Sequence, residues 1–180
     1  MNLGKETETL EFKKTTGEMK EAMVSISSIL NKHGIGTLYF GVKPSGDVIG
    51  QDVSESSLRD VSRAVYENIR PQIYPVIEEV VLDQKHLIKV EFSGENAPYS
   101  AAGRYYLRTA DEDREVTPDE LKAFFVANKY RELWELDRET NIRKGEGGRT
   151  GLDGCLLFAK ISLTAIINMT YCCLVEFAMI

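Results

Sequence analysis

The chain predicts an α+β fold, a mixed sheet with helices on one face. Two observations carry that expectation. Period-two apolar runs and period-three-to-four apolar runs interleave in the order β α β β α β β β α, which is not a strict βαβ alternation. The composition is that of a globular protein, 43% apolar over 180 residues, with no internal repeat. Length alone predicts one domain, with room for a tail.

In Thr9 to Lys13, Leu10 and Phe12 alternate with Glu11 and Lys13, the mark of a half-buried strand with the two charged residues facing out. Glu18 to Lys32 places Met19, Ala22, Met23, Ile26, Ile29 and Leu30 at helical spacing, with Thr15, Thr16 and Gly17 as cap candidates and Gly34 as terminator. Thr37 to Val42 is a short β-rich run. The turn Pro44 to Asp47 leads from it into Val48 and Ile49, so a hairpin is expected. Ser54 to Ile69 spaces Leu58, Val61, Ala64, Val65 and Ile69 along one helix face and must end before Pro71. Val76 to Leu82 and His86 to Phe92 form a second expected hairpin, and Arg104 to Thr109 a further strand. Thr117 caps a last helix, with Pro118 at its first position and Glu120 completing a capping box.

Charge is segregated along the chain. The formal net charge is −6, which excludes uniform affinity for nucleic acid. Residues 1–110 carry 13 basic and 15 acidic groups, net −2, whereas residues 111–140 carry 5 and 10, net −5. Most of the net negative charge therefore lies outside the first 110 residues, which leaves room for a local basic patch there. The run from Asp111 to Glu120 is expected to be a solvated flank favourable at a helix N-terminus, or a repellent that limits nonspecific binding.

The ordered set ETETLEFKK at Glu6 to Lys14, ILNKHGIGTLYFGV at Ile29 to Val42, GDVIGQD at Gly46 to Asp52, IYPVIEEV at Ile73 to Val80, GRYYLRT at Gly103 to Thr109 and DEDREVTPDEL after it resembles the Schlafen AlbA-like domain family over residues 5–127. The resemblance implies an Alba-like nucleic-acid-binding module of the kind found in bacterial transcriptional regulators. It further implies, for nuclease members, a pair of glutamates five apart with a later aspartate, matched here by Glu6 and Glu11. Those carboxylates would hold magnesium or manganese for phosphodiester displacement. The third acid is expected just after the next strand, where this chain has Lys43 and Pro44; Asp47 lies nearby in the turn.

The leading expectation is nonenzymatic: a DNA-binding module needing no cofactor. Lys13, Lys14, Lys32, Lys43, Arg104 and Arg108 are the candidate phosphate contacts, converging on one sheet edge. Strand alternation puts Arg104, Tyr106 and Arg108 on one side, so Tyr106 is the expected base-stacking partner. The glycines Gly34, Gly36 and Gly41 lie between a helix and a strand, the reverse of a phosphate cradle, which argues against ATP. Asn31 is expected to bond backbone there. His33 and His86 lack the partner spacing of a zinc site.

Domain boundaries are expected at 1–130 for the binding domain, 131–150 for a charged, glycine-rich linker and 151–180 for an apolar tail. All three cysteines, Cys155, Cys172 and Cys173, fall in that tail. An odd count cannot close a disulfide framework, and Met1 to Lys14 lacks a secretory apolar stretch, so a reducing, cytoplasmic setting is expected. Leu156 to Ile180 is interrupted by Lys160 and Glu176 and diluted by Ser162, Thr164, Asn168 and Thr170. A bilayer span needs ~20 apolar residues. Three readings of the segment stand: a helix buried against the domain or a second subunit, making the chain a structural homo-oligomer; a tail anchor; or a terminus altered by truncation or a reading-frame change.

Overall fold

A computed structural model of the chain describes residues 1–127. The expected linker 131–150, the apolar tail 151–180 and the readings attached to them lie outside the described residues. Eight strands and two helices run as β1 Leu10–Lys13, α1 Met19–His33, β2 Ile35–Phe40, α2 Glu55–Asn68, β3 Ile69–Arg70, β4 Val76–Leu82, β5 Lys85–Ser93, β6 Ser100–Ala101, β7 Arg104–Thr109 and β8 Glu112–Glu115. A third helix, α3, occupies 118–127.

The expected mixed sheet is present, in strand order β1-β2-β5-β4, with β1 and β2 parallel and the other neighbours antiparallel. Both helices bury their apolar stripes on one face of it. Ile26 and Ile29 of α1 and Val61 and Val65 of α2 join Leu38, Phe40, Ile88 and Val90 in one cluster of buried side chains. The opposite face is covered by a smaller cluster of Phe12, Val42, Val48 and Leu87, against which Leu3 and Leu10 pack.

The sequence periodicity does not reveal a second sheet, β3-β6-β7-β8, which packs on the other side of α1. Its strands are two to six residues long. Of these only β7 matches an expected strand, Arg104 to Thr109; the two-residue β3 and β6 hold no alternation and β8 is wholly charged, so the pairing that makes them a sheet has no sequence pattern. α1 is consequently buried from both sides, and even its polar Ser25, Ser27, Ser28 and Asn31 are inside. The hairpin expected at Val48 and Ile49 reduces to one bridge, Val42 to Val48.

Local chemistry explains the element ends. Gly34 closes α1 in the left-handed region at φ 72°, its N–H donating to the Leu30 carbonyl. Asn31 ties the last turn of α1 to the second sheet: its amide donates to the Tyr99 and Tyr106 carbonyls and its carbonyl accepts from the Tyr99 N–H. Ser54 caps α2 by accepting from the Ser57 N–H. Asp83 and Gln84 both have positive φ, forming the two-residue turn that matches strand twist between β4 and β5.

Candidate nucleic-acid interface

β1 is an edge strand, and its alternate side chains point toward different partners. Phe12 enters the smaller apolar cluster, whereas Glu11 turns toward the second sheet and is 5% exposed. This corrects the expectation that Glu11 faces solvent. Its Oε2 accepts from Arg108 Nη2 at 2.6 Å, and its Oε1 accepts from Lys13. Arg108, 1% exposed, also donates to Asp113 at 2.8 Å and to the Thr7 carbonyl at 3.2 Å. Asp113 accepts in turn from the hydroxyls of Ser25, at 2.6 Å, and Ser28.

The result is a buried ionic cluster linking β1, α1, β7 and β8. Burial alone would lower the Arg108 pKa, but its bond to Asp113 and the charge of Glu11 outweigh that and raise it above the ordinary value. Arg108 is thereby removed from the phosphate contacts: no phosphate reaches a side chain enclosed by two carboxylates. Part of the acidic run also changes meaning, because Asp113 is half-buried and bonded to Arg108, Ser25 and Ser28 rather than being a solvated flank. Asp113, Ser25 and Ser28 carry no local signal, since their partners are 85 to 88 residues away.

Glu6 lies close enough to Glu11, Lys13 and Arg108 to feel their charges. Burial raises its pKa, opposed by the hydrogen bond its carboxylate accepts from the Phe12 N–H at 3.0 Å. Both Glu11 oxygens are engaged by cations, and no group of three acidic, histidine or cysteine side chains able to hold a metal occurs among the described residues.

The remaining candidates do not converge on one edge. Lys13 and Lys14 leave the C-terminal end of β1, and Lys43 follows the parallel end of β2; the Gly41 and Val42 N–H groups both donate to the Lys13 carbonyl, at 2.8 and 3.1 Å. Lys32 precedes β2, so the length of that six-residue strand, about 20 Å, separates it from Lys43. Arg104 is also toward that far end, two residues before Tyr106, whose carbonyl accepts from Asn31 in the last turn of α1. Lys32 is paired with Glu8 at 2.6 Å and Arg104 with Glu115 at 3.6 Å.

Tyr106 is half-buried against the main apolar cluster, so it is not the exposed stacking partner that strand alternation suggested. Strand parity is right here, but the shared side of Tyr106 and Arg108 faces α1. Of the seven basic and aromatic candidates, Lys14 and Lys43 are the exposed cations with no carboxylate partner among the described residues.

The family model described as Schlafen, AlbA_2 matches residues 6–117, more than half of the chain. The fold is similar to the crystal structure of the DIP2311 protein from Corynebacterium diphtheriae, with a TM-score of 0.52 and 14% identity over 65% of this chain; the match spans 23% of that protein. A solution structure of the N-terminal domain of a protein from Nitrosomonas europaea, related to the ATP-dependent DNA helicase RecG, matches at a TM-score of 0.38 and 17% identity, covering 61% of this chain and 82% of that one. No curated protein matches the chain. Among the described residues no helix is long and apolar enough to cross a membrane.

Proposed function

The chain belongs to the Schlafen, AlbA_2 family, and from that premise we propose that residues 1–130 are a nucleic-acid-binding module, the DNA-contacting part of a bacterial, cytoplasmic transcriptional regulator. The observation that carries the reading is the placement of Lys14 and Lys43 on adjacent parallel strand ends, exposed and free of carboxylate partners among the described residues. Two ammonium groups so placed contact neighbouring phosphates, whereas the charge of Lys13 is taken up by Glu11. The net charge of −6 does not oppose this, because it is concentrated beyond residue 110.

Phosphate contact releases counterions, so affinity falls with salt by about 0.9 logarithmic units per contact on duplex DNA. The test is a fluorescence-anisotropy titration of a mixed-sequence duplex at two salt concentrations. The wild-type chain binds at low salt, and Lys14→Glu/Lys43→Glu weakens binding and lowers the salt slope by about 2. Absent or salt-independent binding by the wild-type chain overturns the reading.

A further inference from the structure

We infer that the outward face of α2 and the segment after it form a second nucleic-acid contact, one that takes an unpaired strand by stacking bases on Tyr66 and Tyr74 and holding its phosphates with Arg63 and Arg70. This inference rests on the nucleic-acid reading above but uses a different surface. α2 buries only Val61 and Val65. At about 100° per residue, Arg63 and Tyr66 lie together on the opposite side of the helix from those two valines.

Tyr74 is 86% exposed, more than any other large apolar or aromatic side chain of the described residues, and Tyr66 is 58% exposed. Tyr74 is nevertheless anchored, because its neighbour Ile73 is buried in the main apolar cluster. It lies four residues beyond Arg70, within about 14 Å of chain.

Arg70 is already held beside Tyr66. Its guanidinium sits 5.9 Å from the centre of the Tyr66 ring, and Nη1 donates to the carbonyls of Tyr66 and Ile69 at 2.5 and 2.7 Å. The cation thus lies over the ring with Nη1 engaged by the backbone, which leaves its Nη2 and Nε groups for a phosphate beside a base stacked on the tyrosines. Arg63 meets Asp60 at 3.3 Å and Arg59 meets Glu55 at 2.8 Å, both in exposed pairs. Pairs of that kind are weakly held, so Arg63 can exchange its carboxylate for a phosphate.

Exposed rings recognise the faces of bases, which a duplex hides within its own stack and an unpaired strand exposes. Single-stranded nucleic acid is therefore the ligand class, and sequence tolerance follows because every base has a π-face. The experiment titrates the full chain by anisotropy with fluorescein-labelled, mixed-sequence single-stranded DNA of about 20 nucleotides and with the matching duplex. Tyr66→Ala/Tyr74→Ala is expected to weaken single-strand binding about tenfold or more while changing duplex binding less than about twofold. Tyr66→Phe/Tyr74→Phe, which keeps both rings, is expected to retain it.

If the alanine pair binds single strands like the wild type while Lys14→Glu/Lys43→Glu weakens binding, the α2 surface is overturned and the function proposed above stands. If the wild-type chain binds neither form, both fail.

Discussion

Arg108 and Glu11, 97 residues apart in sequence, each read as a surface functional group when taken alone, and the fold makes them partners. Removing the arginine leaves the buried Glu11 and the half-buried Asp113 without their shared cation, a situation that typically costs about 3–5 kcal/mol. Arg108→Met is expected to lose that much stability in urea unfolding. The double variant Glu11→Gln/Arg108→Met recovers part of it, because the uncompensated charge disappears with its partner. A loss under about 1 kcal/mol for Arg108→Met would mean that the cluster contributes little. The same contacts explain why these two side chains were misplaced by pattern. A polar residue in an alternating strand reads as outward, and only a partner brought from another strand makes inward placement tolerable.

At the scale of elements, α3 carries the clearest pH dependence. Glu120 accepts from Arg114, from the Thr117 N–H and from the Thr117 hydroxyl, and these bonds hold its carboxyl down at about 2. A carboxylate with a depressed folded pKa contributes stability above its unfolded value, near 4.5, and loses it as pH falls toward about 2. Helicity of α3 followed by amide shifts is therefore expected to fade across that window in the wild type. Glu120→Gln flattens the response, and an unchanged profile in that variant would assign the titration to another group. The capping box behind this behaviour is legible from Thr117 and Glu120 alone, because capping is decided within four residues. The salt bridge from Arg114 is not, since it spans six residues across the turn from β8 into the helix.

Across the described domain, protection should follow burial rather than helix length. α1 and α2 have 15 and 14 residues, yet α1 buries nine of them between two sheets and α2 buries two. Amide hydrogen exchange is expected to show central α1 amides opening only with global unfolding, while α2 amides exchange through local opening at lower cost. Equal protection in both helices would contradict this layering.

What the sequence determined by itself was local: the helices from apolar spacing and caps, the β4–β5 hairpin from two β-rich runs around a turn, the mixed sheet that covers them, and the family from its ordered motifs. Tertiary structure decided the second sheet, because apart from β7 its strands are two-residue pieces or an all-charged run with no apolar alternation. It also decided which charges reach solvent. Sequence pattern reports the side of an element on which a residue lies, whereas exposure depends on what packs against that side. Lys14 and Lys43 remain free at one end of the sheet, while Lys32 and Arg104 are paired at the other and Arg108 is enclosed.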